Sequence, residues 1–159
     1  MFRSMRLLGS NERRIPEPGE PRMSERSGPV LFVVDDDPGA QELLREVGLE
    51  AGWDAHGFAR LSELRAALEW RQPTLLILDD DLPDGRGGDL ARDLRESERM
   101  TDVLILVCTA AHPMRQAEIG NWAPVVSKPF DLGEIEAFMA AAVDRVDGRR
   151  SFDSVDRAG

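Results

Sequence analysis

Three short apolar runs constrain the fold of this chain more than any other feature. Val30–Val34, Leu75–Leu78 and Val103–Cys108 are rich in Val, Ile and Leu and do not alternate with polar residues. Such runs are typical of strands that are buried on both faces of a sheet. Weaker patterns of the same kind predict two further strands, at Trp53–Phe58 and Ala123–Ser127. The chain therefore has five candidate strands.

Segments with helical spacing separate these strands. Apolar residues recur at intervals of three and four after Pro38, which is a favoured first residue of a helix. Asp131, followed by Glu134, opens the last such segment as an acidic variant of the capping box. The segments lie at 40–51, 61–68, 90–94, 113–119 and 135–146, and the fourth is short and poorly patterned. Alternation of this kind predicts an α/β fold, a doubly wound (βα)5 unit with a parallel sheet between helices.

The composition of the chain argues against several kinds of site and partner. The single cysteine, Cys108, cannot form an internal disulfide, and His56 and His112 have no cysteine companions for a zinc site. The net charge of −10 disfavours a nucleic-acid surface. No apolar run approaches the roughly 18 residues of a membrane helix. We therefore expect a cytoplasmic protein with neither a nucleic-acid nor a membrane partner.

The ends of the chain differ from its middle. Residues 1–28 are rich in Pro, Gly and Arg and lack sustained periodicity, so they are predicted to form a flexible N-terminal tail. Residues 148–159 are predicted to form a polar C-terminal tail. One domain is expected at 29–147, and so few residues follow it that we expect a stand-alone domain.

Polar residues follow the strong strands at the edge where a parallel sheet places its site. Asp35 and Asp36 follow the first strand and Asp79 follows the third, whereas Asp37 is better placed to cap the first helix. Asp79 stands at the strand tip, and by alternation Asp80 points away from it. The remaining polar residues at this edge are Thr109, after the fourth strand, and Lys128, after the fifth.

The chemistry of this set is that of a metal and an oxyanion. Carboxylates without imidazole or thiolate ligands favour Mg²⁺. Thr109 offers a hydroxyl and Lys128 a compact cation, and Lys128 is the only lysine beside 19 arginines. An aspartate in such a setting can attack phosphorus and form an aspartyl phosphate.

Four segments carry a family resemblance: VLFVVDDDP at 30–38, PTLLILDDDLPDGRGG at 73–88, VLILVCTA at 103–110 and SKPF at 127–130. In this order and at these intervals, residues 29–147 resemble the receiver domain of two-component response regulators. The resemblance implies a flavodoxin-like fold with strand order 2-1-3-4-5. It also implies a phosphoprotein of a two-component phosphorelay that receives its phosphoryl group from a sensor histidine kinase or a phosphotransfer protein.

The resemblance also implies roles for the residues at the sheet edge. Asp79 matches the phosphoacceptor, and Asp35 and Asp36 match the acidic pair that holds Mg²⁺. Asp81 matches the position whose main-chain carbonyl also coordinates the metal.

Thr109 and Lys128 match the residues that engage the phosphoryl group, so that Asp79, Thr109 and Lys128 form the predicted reactive set. Thr109 also matches one half of a conformational switch. The other half is usually aromatic, but here it is Val125, and the 19-position interval from Thr109 to Lys128 is shorter than is common in the family. Both departures bring the switch into question.

Three hypotheses remain. The first is a phosphorylatable receiver that signals to an unknown downstream protein and is a phosphoacceptor rather than an enzyme. The second is a receiver-fold interaction module that does not switch. The third is an aspartate-nucleophile phosphohydrolase, for which Asp35 and Asp37 give the required spacing but the chain has no room for a substrate cap. The sequence does not decide between a monomer and a homodimer.

Overall fold

The central feature of the fold is a five-stranded parallel sheet. The computed structural model describes residues 28–156, with side chains through residue 148, so the predicted tail at 1–28 lies outside the described residues except for its last position. The sheet order is β2-β1-β3-β6-β7, which is the predicted order 2-1-3-4-5 when the sheet strands are counted alone. Its strands are β1 (Val30–Val34), β2 (Asp54–Phe58), β3 (Leu75–Leu78), β6 (Leu104–Thr109) and β7 (Val125–Ser127).

A small hairpin was not anticipated from the sequence. Strands β4 (Asp81–Leu82) and β5 (Gly85–Arg86) pair antiparallel directly after β3. Gly87 follows the hairpin, and its N–H donates a 2.8 Å hydrogen bond to the carbonyl of Asp80. A Cβ atom on Gly87 would lie 1.8 Å from the main-chain oxygen of Asp79. Only glycine allows the hairpin to return this close to the end of β3.

The helices lie close to their predicted positions. The fourth has seven residues, which confirms that it is short. The last helix runs on to Asp156, beyond the predicted domain boundary at residue 147, because no proline interrupts residues 148–156 and an established helix propagates readily. The helices are α1 (Pro38–Glu50), α2 (Leu61–Trp70), α3 (Gly87–Glu96), the 3-10 helix at Glu98–Met100, α4 (Pro113–Ile119) and α5 (Leu132–Asp156).

The core lies on both faces of the sheet, as the non-alternating strands predicted. Along β1, Phe32 and Val34 pack on the side of α2, α3 and α4, whereas Leu31 and Val33 pack on the side of α1 and α5. Cys108 belongs to the second cluster, and burial raises the pKa of its thiol to about 12. Cys108 is therefore a core residue, as its place at the end of an apolar run indicated. Among residues 28–156, no helix combines the length and the apolar character that a membrane crossing requires.

Candidate functional site

Three carboxylates meet at the carboxyl edge of the sheet. Asp35 follows β1 and Asp79 follows β3, and these neighbouring strands pair in parallel with Val34 opposite Leu78. The register therefore sets the two aspartates side by side, and the Asp79 N–H donates to the carbonyl of Val34 at 2.9 Å. One carboxylate oxygen from each of Asp35, Asp36 and Asp79 lies within 4.8 Å of the others.

The members of this acidic cluster differ in exposure and in function within the local structure. Asp35 is buried, and one of its oxygens accepts the N–H of Asp37 at 2.9 Å. Asp36 is exposed. Asp37 lies apart and caps α1, where its carboxylate accepts the N–H of Gly39 at 3.1 Å, as predicted.

Lys128 bridges two of the acids. Its Nζ lies 2.6 Å from an Oδ of Asp35 and 3.3 Å from an Oδ of Asp79. Pairing of β6 with β7 places it there, since the N–H of Lys128 donates to the carbonyl of Thr109 at 2.9 Å. The single ammonium therefore partly neutralises the three carboxylates of the cluster.

The positive charge of Lys128 does not fully offset the effects of burial and of Asp35 on the Asp79 carboxyl. Burial raises the pKa of the Asp79 carboxyl, Lys128 acts in the opposite direction and Asp35 adds to the rise, so the net shift is upward. Burial lowers the pKa of the Lys128 ammonium, but its hydrogen bond to Asp35 and the charges of Asp79 and Asp35 outweigh burial and raise it. The ammonium therefore stays charged beside a carboxylate that resists ionisation.

A pocket of about 420 Å³ opens above Asp79. Thr109 lies at its wall, and its Oγ1 accepts the N–H of Ala111 at 3.1 Å. Val125, the predicted second half of the switch, is partly buried and packs against the core on the side of α2, α3 and α4. The pocket is lined by Asp36, Asp79, Asp81, Arg86, Thr109, Ala110, Ala111, His112, Arg115 and Lys128.

Asp80 points away from the acidic cluster, as its alternation with Asp79 predicted. Its carboxylate is completely buried. Arg115 of α4 binds it through two nitrogen atoms, at 3.0 Å and 2.9 Å, and Arg86 lies 3.4 Å away. Sequence reasoning missed both arginines, because nothing in the chain distinguishes them from the other seventeen.

The donor set of the acidic cluster suits a hard divalent cation. It offers carboxylate oxygens, and its charge exceeds what Lys128 can neutralise. Mg²⁺ prefers oxygen ligands, and uncompensated carboxylates attract it electrostatically. Asp81 lies exposed at the rim of the same pocket.

The fold and the acidic pocket define a class of protein. Residues 31–140 match the response regulator receiver domain, and the chain belongs to this family. Receiver domains are phosphoacceptor signalling domains that histidine kinases or phosphotransfer proteins phosphorylate, and they bind Mg²⁺ at an acidic pocket.

Individual relatives agree with this assignment. The chain is 31% identical over 122 residues to the transcriptional regulatory protein GltR of Pseudomonas aeruginosa, a match that covers 75% of this chain and 50% of that protein. It is also 31% identical to the DNA-binding dual master transcriptional regulator RpaA of Synechocystis sp., over 75% of this chain and 51% of that protein. The chain spans about half the length of these curated relatives.

A solved structure extends the comparison to three dimensions. The response regulator TrrA of Thermotoga maritima, in complex with Mg²⁺–BeF, superposes with a TM-score of 0.64 at 26% identity. The match covers 72% of this chain and 99% of that one.

Proposed function

We propose that this chain accepts a phosphoryl group on Asp79 in a Mg²⁺-dependent reaction. The donor is the phosphohistidine of a sensor kinase or of a phosphotransfer protein, and the signal leaves through contacts with a downstream protein. The observation that carries the proposal is that Asp79, Asp36 and Lys128 line one open pocket, while the buried Asp35 completes the acidic cluster and lies 2.6 Å from Lys128.

The chemistry follows from the residues around Asp79. A carboxylate oxygen of Asp79 attacks phosphorus as the bond from phosphorus to the donor nitrogen breaks, and the electron pair leaves with that nitrogen. Lys128, already 3.3 Å from Asp79, neutralises negative charge on the phosphoryl oxygens. The Thr109 hydroxyl donates a hydrogen bond to one of those oxygens.

The acidic residues have a different role. Asp35 and Asp36, together with Asp79 and the main-chain carbonyl of Asp81, would hold Mg²⁺. The cation supplies charge neutralisation on the phosphoryl group when it is bound. Burial raises the pKa of the Asp79 carboxyl, so a cation held by these residues would favour its ionised, nucleophilic form.

A mass measurement tests the proposal. The full chain is incubated with Mg²⁺ and acetyl phosphate, and we expect a gain of one phosphoryl group that requires Mg²⁺. Asp79→Asn removes the gain. The matched control is Asp93→Asn, which changes an exposed aspartate of α3. This variant should still gain the phosphoryl group. A gain that persists in Asp79→Asn overturns the assignment of the acceptor.

A receiver-fold interaction module that does not switch is the second candidate. The small side chain at Val125 and the seven-residue α4 favour it. It predicts no mass gain. The phosphohydrolase is disfavoured because Asp37, its required second acid, caps α1. The absence of a nucleic-acid partner and the cytoplasmic location stay predictions.

A further inference from the structure

The carboxylate next to the acceptor is part of a second charged cluster. Asp80 is 0% exposed, and its two oxygens receive the side-on fork of Arg115 and the N–H of Gly88 at 3.0 Å. A buried carboxylate with such partners is expensive to disrupt, because removing one partner leaves a desolvated charge. Asp80 is therefore a fixed point, attached directly to the residue that carries the proposed chemistry.

Arg115 connects this fixed point to α4. Besides Asp80, its guanidinium donates to Asp89 of α3 at 2.8 Å and to Glu118 one turn further along α4 at 2.9 Å. The side chain is 16% exposed. A helix of seven residues has little stability of its own, so its position depends on anchors of this kind.

The next residue of α4 carries the connection to the loop that follows β6. Gln116 donates through Nε2 to the carbonyl of Ala111 at 2.8 Å and to Oγ of Ser127 at 3.1 Å. Ala111 in turn donates its N–H to Oγ1 of Thr109. A continuous set of hydrogen bonds and peptide links therefore runs from Asp80 through α4 to the Thr109 hydroxyl.

We propose that Asp80 and Arg115 are positioning residues of the phosphorylation site and act through Thr109. The inference rests on the proposed phosphorylation of Asp79. The buried ion pair fixes α4, α4 fixes the loop at Ala111, and the loop holds the Thr109 hydroxyl at the pocket wall before the phosphoryl group arrives. Preorganisation of this kind lowers the cost of ordering a donor during the reaction.

The test is a double-mutant cycle on the initial rate of Asp79 phosphorylation by acetyl phosphate and Mg²⁺. Arg115→Gln is expected to slow the reaction by about tenfold. Effects of this size are typical of residues that do not contact the ligand but orient the side chains that do. Thr109→Ala slows it at least as much. In the Thr109→Ala background, Arg115→Gln has little further effect, because its route to the site is gone.

The matched control is Arg71→Gln. Arg71 lies 2.6 Å from the buried carboxylate of Asp54, at the opposite edge of the sheet, so the change disturbs a comparable ion pair away from the pocket. We expect wild-type rates for it. A purely structural role for Arg115, or a direct effect of its guanidinium, which also lines the pocket, would slow the reaction by the same factor with and without the Thr109 hydroxyl, and that result overturns the proposal. Wild-type rates in the Arg115→Gln variant would also overturn the proposal.

A second variant covers the case in which Arg115→Gln does not fold. Asp80→Asn combined with Arg115→Gln removes both buried charges, so it avoids the unpaired carboxylate. It is expected to fold and to remain slow, whereas a wild-type rate overturns the proposal. If wild-type protein gains no phosphoryl group, or gains it in Asp79→Asn, the proposed function has failed instead.

Discussion

Asp79 and Asp80 are consecutive residues, but their carboxyl groups lie in two regions whose surroundings shift the pKa in opposite directions. Asp79 shares one ammonium with Asp35, and burial raises the pKa of its carboxyl. At Asp80, burial acts in the same direction, but hydrogen bonds from Arg115 and Gly88 and the charges of Arg115 and Arg86 outweigh it and lower the pKa. The pleat of the chain after β3 separates the two regions.

The difference shows where the molecule has spare negative charge. In the Asp80 region, Arg115 and Arg86 pair with the buried carboxylate, and these ion pairs hold α4 and the hairpin in place. The additional carboxylates that share Arg115 with Asp80 are exposed to water. The Asp79 region has one cation for three carboxylates, of which Asp35 and Asp79 are buried, so it gains from binding a further cation. Incomplete compensation of this kind is a frequent property of functional sites.

The largest expected effect is on stability, where Asp80 and Asp79 should depend on their cations to different degrees. Arg115→Ala leaves the buried Asp80 without its main partner, and we expect the free energy of unfolding to fall by about 3 kcal/mol. Lys128→Ala unpairs the buried Asp35 but costs less, about 1 kcal/mol, because it also removes an ammonium whose own burial is unfavourable, and because the open pocket admits water beside Asp79. Urea denaturation at neutral pH without Mg²⁺ measures both changes. Equal losses would contradict the division into a structural and a functional carboxylate.

The second prediction concerns the stability that the acidic cluster gains from binding Mg²⁺. At a Mg²⁺ concentration ten times the dissociation constant, the wild-type protein should gain about 1.4 kcal/mol of stability from binding. Asp36→Asn weakens the binding, since it removes an exposed ligand without disturbing an ion pair. Asp93→Asn, on α3, is the control and leaves binding unchanged. Thermal unfolding across a Mg²⁺ titration provides the readout, and an unaltered midpoint in wild-type protein would refute the metal site.

The third and smallest effect concerns pH, measured without Mg²⁺. The folded pKa of Asp79 lies above its ordinary 3.8, so its protonated form favours the folded state. Its contribution is fully present below pH 3.8 and is lost as the pH rises through the raised value. The folded pKa of Asp80 lies below 3.8, so its contribution is present above pH 3.8 and is lost as the pH falls through the lowered value.

Denaturation at several pH values checks this prediction. The difference in unfolding free energy between wild type and Asp79→Asn should shrink as the pH increases, while the difference between wild type and Asp80→Asn should grow. Slopes of the same sign for the two variants would show that the two carboxylates share one environment.

The sheet edge was predictable from the sequence because its logic is local. Each strand is a short apolar run, and the residue that follows it lies at the carboxyl edge whatever the helices do. The same alternation that buries Leu78 separates Asp79 from Asp80, so the two directions could be predicted as well. The difference in exposure between Asp35 and Asp36 could not, because it depends on the tertiary packing around the two side chains and not on local spacing.

The ion pair between Arg115 and Asp80 could not be predicted from the sequence. Arg115 and Asp80 are 35 positions apart, and no periodic pattern links them. A sequence with 19 arginines gives many candidate partners for one carboxylate. The pairing depends on how a seven-residue helix docks against α3, and that is a property of tertiary packing.

The return of the hairpin beside Asp79 has a consequence for mutational tolerance. Gly87 performs no chemistry, yet even an alanine methyl group there would collide with the main chain of Asp79, the proposed acceptor. In a saturation library selected for phosphorylation, position 87 should therefore be as depleted of substitutions as position 79. A survey of that kind would score as essential a residue whose only contribution is the absence of a side chain.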